Sequence, residues 1–248
     1  MLTPTATEYD HGHGHDHDHD HDHDHGHPHA PPPGTVSRRR LLRASTAMAG
    51  SLLAGLAPAL AQTPPLRYTA EDALGPFFPT SLPADQDSDL TRVAGRTGTA
   101  QGRVLYLSGR VLTPQGAPVA GAVIEIWQAN TFGRYAHPGD DNPAPLDPDF
   151  QGYAKLRTDA EGRYQLKTVK PGEYTGRTPH IHFDVHGNKS RLITQMYFEG
   201  EARNATDGLL SRRSAATRQS LMSRYVAPTG AQEKAALVAQ WDIVLSVG

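Results

Sequence analysis

Short segments in which apolar and polar side chains alternate recur along the second half of the chain, and they restrict the fold more than any other feature. These segments cover residues 104–111, 123–128, 153–158, 164–169, 180–186, 192–198 and 242–247. A period of two directs alternate side chains to one face of a β-strand, and turns rich in Pro and Gly separate the segments. The pattern predicts an all-β domain, a β-sandwich core of short mixed strands with long loops, and excludes a βαβ fold. Residues 210–225 and 231–239 predict one or two short C-terminal helices.

The chain divides into three parts of different composition. Residues 1–36 form a tract rich in His, Asp and Pro, which predicts disorder. Residues 37–61 have the layout of an export signal. Residues 62–248 provide enough chain for one compact domain with its own core, and too little for two.

The second part resembles a twin-arginine signal peptide. Arg38 and Arg39 precede a mildly apolar run at residues 47–60, and small residues allow cleavage after Ala61. A transmembrane helix is the alternative, but the run is too short and too rich in Ala and Gly for one. We therefore expect the twin-arginine machinery to export the chain to the periplasm or the medium, with no membrane attachment after cleavage.

The tract at residues 11–29 alternates His with Asp and Gly, which is a loose multidentate ligand for Zn, Ni or Cu. Two alternatives stay open: the tract has no role and is removed with the signal, or Val36 is the true start and the tract is never made. Ten of the 14 histidines lie in this tract. The predicted domain therefore has only four, which are His137, His180, His182 and His186.

Composition excludes several classes of function. The chain has no cysteine, so disulfides, zinc–thiolate sites, iron–sulfur clusters, a cysteine nucleophile and a lipidated N-terminal cysteine are all excluded. The formal net charge is −2 and no basic stripe stands out, so nucleic acid is not an expected partner.

His180 and His182 begin one of the predicted strands. Side chains two apart on a strand point to the same face, so both imidazoles can reach one ion while Ile181 packs on the opposite side. A His-x-His pair alone is weak support for a metal, because two hydrogen-bonded or surface histidines give the same pattern.

The surroundings of this pair strengthen the metal interpretation. Tyr174 follows a Pro-Gly turn six residues before His180, and Tyr135 lies farther upstream in the segment 133–137. In these residues the chain resembles the intradiol ring-cleavage dioxygenases, in particular their protocatechuate-type branch. The resemblance extends in family order through residues 74–79, 109–116, 123–130, 144–152, 192–198 and 241–245.

The resemblance implies a non-haem Fe(III) site and a site residue at each matching position. Tyr135 and His180 match the ligands that stay in the metal plane, and Tyr174 and His182 match the axial pair. Phenolates are hard anionic donors, which suit iron(III) better than iron(II). The implied reaction opens a catechol-type ring between its two hydroxyl-bearing carbons with O2, giving a cis,cis-muconate-type diacid.

Three further roles follow from the same match. Tyr174 would leave the metal when the catechol binds and take up one of its protons. Arg177 matches an arginine that stabilises negative charge developing on the ring, and Gln195 matches an amide beside the oxygen side of the site. His137 and His186 have no assigned function and are expected near the site or on the surface.

The chain departs from the better-known relatives between Tyr174 and Arg177, where only Thr175 and Gly176 intervene. The protocatechuate enzymes carry a longer loop there, which forms one wall of the substrate pocket. We therefore expect that wall to be shorter in this chain. Residues 62–103 are too few for the helical dimerisation region of the catechol branch. The sequence leaves the individual catechol and the oligomeric state open, and a homo-oligomer is compatible with it.

Two other functions fit part of the sequence. Residues 109–123 also suit a transthyretin-like β-sandwich module that only binds partners, since this motif reflects shared architecture. The His-rich tract also suits a periplasmic metal-handling protein. Neither alternative needs two tyrosines and two histidines at these spacings.

Overall fold

The computed structural model describes residues 64–247. The predicted disordered tract at 1–36 and the predicted signal peptide at 37–61 lie outside the described residues. The described part contains nine strands, two 3₁₀ turns at Ala202–Ala205 and Leu210–Arg212, and one α-helix, α1, at Ala215–Leu221. The strands are β1 (Val104–Leu112), β2 (Val123–Trp127), β3 (Tyr153–Arg157), β4 (Arg163–Val169), β5 (His180–His186), β6 (Arg191–Phe198), β7 (Met222–Tyr225), β8 (Leu237–Gln240) and β9 (Ile243–Val244).

The strands form two layers that face each other across one core. One layer has the order β3-β2-β5-β6, and the other contains β8, β1 and β4. Strand β7 joins the layers, since it pairs parallel to β6 and antiparallel to β8. This mixed, two-layered arrangement confirms the predicted all-β sandwich.

Alternation explains which side chains enter the core. In β1, Leu105 and Leu107 are buried, and in β5, Ile181 and Phe183 are fully buried. The Phe183 ring lies 5.0 Å from the ring of Trp241, the residue after β8. This contact joins the two layers across the core. The odd-numbered residues of β5 therefore fill the core, and its even-numbered residues lie on the outer face.

Six of the seven predicted strands agree with the structure to within one residue at each end, and the seventh, at 242–247, is reduced to Ile243–Val244. The predicted helix at 231–239 is wrong. Its residues have high helix propensity, but Leu237–Gln240 pair parallel to β1 and long-range pairing overrides the local preference. The predicted helix at 210–225 is correct only over a 3₁₀ turn and α1, because the chain then extends to pair with β6 as β7.

The segment at the start of the described residues is hydrogen-bonded to β9, near their end. The Thr69 amide donates to Val244 at 3.0 Å, and the Val244 amide donates to the Thr69 hydroxyl at 2.9 Å. The Asp72 amide then donates to Ile193 of β6 at 3.0 Å. This segment leads residues 73–79 over the outer face of β5. No helix within residues 64–247 is long and apolar enough to cross a membrane.

Candidate active site

Four predicted ligand residues meet on the outer face of β5. His180 and His182 project from this face with ring centroids 4.9 Å apart. Tyr135, in the loop after β2, brings its hydroxyl to 3.0 Å from His182 Nε2. The ring of Tyr174, in the loop before β5, lies 5.2 Å from that of Tyr135 and 5.4 Å from that of His180. The structure thus brings together residues spread over 48 positions of sequence, from 135 to 182.

The hydrogen bonds of His180 leave one ring nitrogen available to a metal. Its Nδ1 lies 2.7 Å from the carbonyl oxygen of Thr178, which can only accept, so Nδ1 carries the proton. Its Nε2 is then an acceptor, and it is buried with no hydrogen-bond partner among the described residues. A backbone carbonyl that fixes the tautomer of a histidine is a usual support for a metal ligand.

Burial sets the protonation of the four side chains. It lowers the pKa of His180 to about 4, with a further contribution from the nearby Arg177 cation. Burial also lowers the pKa of His182 well below its usual value and raises the pKa of Tyr135 and Tyr174. Both imidazoles are therefore neutral near pH 7, as metal binding requires, whereas the phenols need a nearby cation to ionise.

Aromatic rings enclose this group of four side chains. Trp127 stacks on His182 at 4.9 Å with planes 10° apart, and Phe77 lies 4.9 Å from Tyr135 and 5.9 Å from Tyr174. A β-carbon at Gly75 would lie 2.9 Å from Cε1 of His182. Sequence reasoning did not single out Trp127 or Phe77. Trp127 lies opposite His182 in the β2–β5 register, but that pairing is visible only in the fold.

Two glycines allow the tyrosine-bearing loops to pack in direct backbone contact. A β-carbon at Gly133 would lie 2.0 Å from the carbonyl oxygen of Glu173, and one at Gly172 would lie 2.4 Å from that of Thr131. The amides of both glycines donate to the Asn130 carbonyl at 3.0 Å. Tyr135 and Tyr174 are therefore held at a spacing that only glycine permits.

Gly133→Ala is expected to separate the two tyrosine loops. Gly133 has φ +80°, and its added methyl would also collide with the Glu173 backbone. We expect a loss of about 2–4 kcal/mol in the free energy of unfolding and a reduced metal content. The matched control is Gly116→Ala, at φ +81° with nothing within 4 Å, which should cost only about 1 kcal/mol. Denaturant titration checks both; equal losses would contradict the close-packing argument.

Arg177 and Gln195 lie beside the histidines and are bonded to each other. Arg177 Nη2 donates to Gln195 Oε1 at 2.8 Å and to the Tyr197 hydroxyl at 3.1 Å. Gln195 faces His182 in the β5–β6 register, and its Nε2 donates to the Ala73 carbonyl at 2.6 Å. Tyr197, two residues on, shares this face and donates to Asp72 at 2.9 Å. The period-two rule applied to β6 would have identified Tyr197.

The other two histidines of the domain lie apart from the four-residue group. The His137 ring packs 5.5 Å from Phe77 at the edge of the site. His186 lies farther along β5, where it forms with Glu125 and Asp184 a group whose ligand atoms all lie within 4.8 Å. Both acids are already paired, Asp184 with Arg191 at 2.6 Å and Glu125 with Lys155 at 3.1 Å. This second group is therefore an ion-pair network in the structure.

Comparison of the sequence with known proteins identifies related enzymes. A family model described as "Dioxygenase" matches residues 74–247. The beta chain of protocatechuate 3,4-dioxygenase from Burkholderia cepacia is 40% identical over 190 residues, which span 73% of this chain and 80% of that one. Catechol 1,2-dioxygenase 1 from Acinetobacter lwoffii is 34% identical over 116 residues, spanning 39% of this chain and 36% of that enzyme.

Solved structures share the fold. The dioxygenase domain of a dioxygenase carbohydrate-binding protein fusion from Streptomyces sp. SirexAA-E is 29% identical with a TM-score of 0.55, over 73% of this chain and all of that one. Hydroxyquinol 1,2-dioxygenase from Pseudomonas putida DLL-E4 has a TM-score of 0.57 over 74% of this chain and 68% of that one. At 21% identity the second match supports the fold alone.

Proposed function

Because the chain belongs to the intradiol ring-cleavage dioxygenase family, we propose that it opens catechol-type rings with O2 at a ferric ion held by Tyr135, Tyr174, His180 and His182. One observation carries the assignment of this site. Four buried side chains with metal-binding atoms converge, and the Nε2 atom of His180 is left without a partner. The non-enzymatic transthyretin-like module does not need such a group.

The donor set fits ferric iron. Two neutral imidazoles and two phenols provide no charge of their own, and a trivalent cation would ionise both phenols despite the burial that raises their pKa. The charge of two phenolates would then offset most of the charge of the ion within a buried site. The group of Glu125, Asp184 and His186 fits less well, because Arg191 and Lys155 already neutralise its acids.

The chemistry divides between the metal and the protein. Ferric iron, when bound, would chelate the two catechol oxygens and withdraw electrons from the ring, which makes the ring reactive toward O2. Tyr174 Oη would accept one catechol proton, and it is suited to this because burial favours its protonated form. The Arg177 guanidinium would stabilise negative charge on the ring carbon, and Gln195 Oε1 would keep that guanidinium in place. The bond between the two hydroxyl-bearing carbons breaks, and both oxygen atoms of O2 enter the diacid product.

The test is metal analysis together with oxygen uptake on the purified protein. We expect about one ferric ion per domain, a red-brown colour from tyrosinate-to-iron charge transfer, and uptake of one O2 per catechol consumed. A colourless, active protein containing zinc and no iron would refute the assignment. If the protein instead binds Zn or Cu, loses that metal when residues 1–36 are deleted, and has no iron in the domain, the result would favour a metal-handling protein.

The turn from Tyr174 to Arg177 bears on the substrate class. It is closed by a hydrogen bond of 2.7 Å from the Arg177 amide to the Tyr174 carbonyl, with Thr175 at φ 44° and Gly176 at φ 77°. Only Thr175 and Gly176 lie in this turn, so it carries no bulky side chain of the kind that a longer loop could place against a ring substituent. We therefore propose that larger substituted catechols are accepted. Oxygen uptake across catechol, protocatechuate, hydroxyquinol and aryl-substituted catechols would rank them.

We further propose that the chain is exported by the twin-arginine machinery to the periplasm or the medium. The sequence of residues 37–61 supports this. The twin-arginine route carries folded proteins, which would suit a domain that receives its metal in the cytoplasm. Replacing Arg38 and Arg39 by Lys should leave a full-length, folded, iron-containing protein in the cytoplasm. Cell fractionation checks this, with single replacement of Arg43 by Lys as the control that should still export. Finding the mature form of the double variant in the periplasm would contradict the proposed route.

Copies of this chain are proposed to associate with each other. The relatives named above include a beta chain, and an alpha chain of protocatechuate 3,4-dioxygenase from Burkholderia cepacia is also similar, at 31% identity over 175 residues. Light scattering on the purified protein gives the oligomeric state, and a monomer at all concentrations would contradict the proposal.

A further inference from the structure

The Arg177 side chain is held from two directions by residues outside the group of four. Its Nε donates to Asp207 Oδ2 at 2.8 Å, and its Nη2 donates to Gln195 Oε1 at 2.8 Å and to the Tyr197 hydroxyl at 3.1 Å. Gln195 and Tyr197 pair with His182 and His180 across the sheet, so the Nη edge lies beside the histidines. Among residues 64–247, Nη1 donates to no other group, which leaves it available to a ligand.

Asp207 is itself fixed by the backbone around it. It lies between the two 3₁₀ turns and its side chain is fully buried. Its Oδ2 also accepts from the Thr178 amide at 2.9 Å, and its Oδ1 accepts from the amides of Leu209 and Leu210 at 2.9 Å each. Two donors on each oxygen prevent rotation of the carboxylate, so the Asp207 side chain is a rigid anchor for Arg177.

We propose that Asp207 is a positioning residue for Arg177 and that it acts at Nε, while Gln195 acts at Nη2. Its carboxylate fixes the guanidinium at Nε and so turns the Nη edge toward the catechol site before substrate arrives. The inference rests on the proposed function, because the orientation of Arg177 affects turnover only if the domain cleaves catechols. A donor that is already oriented stabilises developing charge without the cost of reorganising at the moment of reaction.

The geometry requires a carboxylate at position 207. Asparagine has one acceptor oxygen and one amino group in place of two acceptors. Its amino group would face either Arg177 and Thr178 or the amides of Leu209 and Leu210, and in both cases donors would oppose donors. Glutamate keeps the charge but displaces it by one methylene. Each change therefore disturbs the direction of the guanidinium by a different route.

The test compares Asp207→Asn and Asp207→Glu with wild type in the iron-loaded protein. We expect kcat to fall about 10- to 100-fold in Asp207→Asn and less in Asp207→Glu, with KM changed by less than about threefold. Iron content and the charge-transfer absorption should stay as in wild type. The matched control is Asp147→Asn, since Asp147 is also buried and its carboxylate accepts from the amides of Gln101 and Asp149, away from Arg177. Its turnover should not change.

A double-mutant cycle separates positioning from a general structural role. In the Arg177→Ala background, Asp207→Asn should reduce kcat by less than about twofold, because the residue through which it acts is gone. Three results would each overturn the proposal. The first is that the effects of the two substitutions multiply in the double variant, and the second is normal turnover in Asp207→Asn. The third is loss of iron or of folding in both Asp207→Asn and Asp207→Glu. Failure of the proposed function is distinct, since wild type itself would then lack iron or oxygen uptake.

Discussion

His182→Ala is expected to yield a folded protein that binds little iron, has no charge-transfer colour and cleaves catechol at least about a thousandfold more slowly. A bound metal contributes several kcal/mol to the stabilisation of charge, and each 1.4 kcal/mol corresponds to about tenfold in rate. His182 Nε2 lies 3.0 Å from Tyr135 Oη, so the substitution removes one donor from the centre of the site. Iron analysis, absorption spectra and oxygen uptake measure the three effects.

His186→Ala is the matched control for this variant. His186 lies on the same face of the same strand, with 41% of its side chain exposed, and contacts Asp184 at 3.2 Å. The His186→Ala variant should retain iron, colour and activity. The comparison also decides between the two groups of candidate ligands, because loss of iron in His186→Ala and its retention in His182→Ala would move the metal to Glu125, Asp184 and His186.

Arg177→Ala is expected to separate chemistry from metal binding. The variant should keep iron, colour and catechol chelation, yet turn over roughly a hundredfold more slowly or worse, as the loss of a preorganised donor does. Arg177 donates to Gln195, Tyr197 and Asp207 and is absent from the group of four. Iron stoichiometry and single-turnover ring cleavage distinguish this result from a structural effect, in which iron and activity would fall together.

Arg163→Ala controls for the general loss of an arginine. Arg163 forms ion pairs with Asp159 and Glu161 at the surface, and 58% of its side chain is exposed. Exposed pairs contribute little to stability, so turnover should stay within a few-fold of wild type. A fully active, iron-replete Arg177→Ala would remove Arg177 from the reaction and leave the ligand assignment intact.

The strands could be predicted because their alternation is local. The outer-face placement of His180 and His182 follows from the same rule, since Ile181 between them is fully buried in the core. The helix predicted at 231–239 was wrong for the opposite reason, because a long-range pairing decides the structure there. Its residues favour a helix locally, and the strand that forms there depends on β1, more than 120 residues earlier.

The partners of the site residues could not be predicted in the same way. Tyr135 and Tyr174 entered the site only through resemblance, because nothing in the local sequence shows that their loops cross at Gly133 and Gly172. Asp207 lies in an irregular segment 30 residues after Arg177, where no periodicity relates the two. Contacts between loops depend on the closed fold, and a single sequence does not contain them in any local pattern.

The meeting of the first and last described segments has a consequence for how the domain reaches its native state. Strand β1 pairs with β8 and β9, and Thr69 bonds to Val244, so central pairings join residues that are synthesised far apart in time. Such long-range pairing raises the contact order and slows folding toward the millisecond-to-second range. The pairing of β1 with β9 cannot form until β9 has left the ribosome. A chain that ends before Ile243 should therefore accumulate as an open, aggregation-prone intermediate.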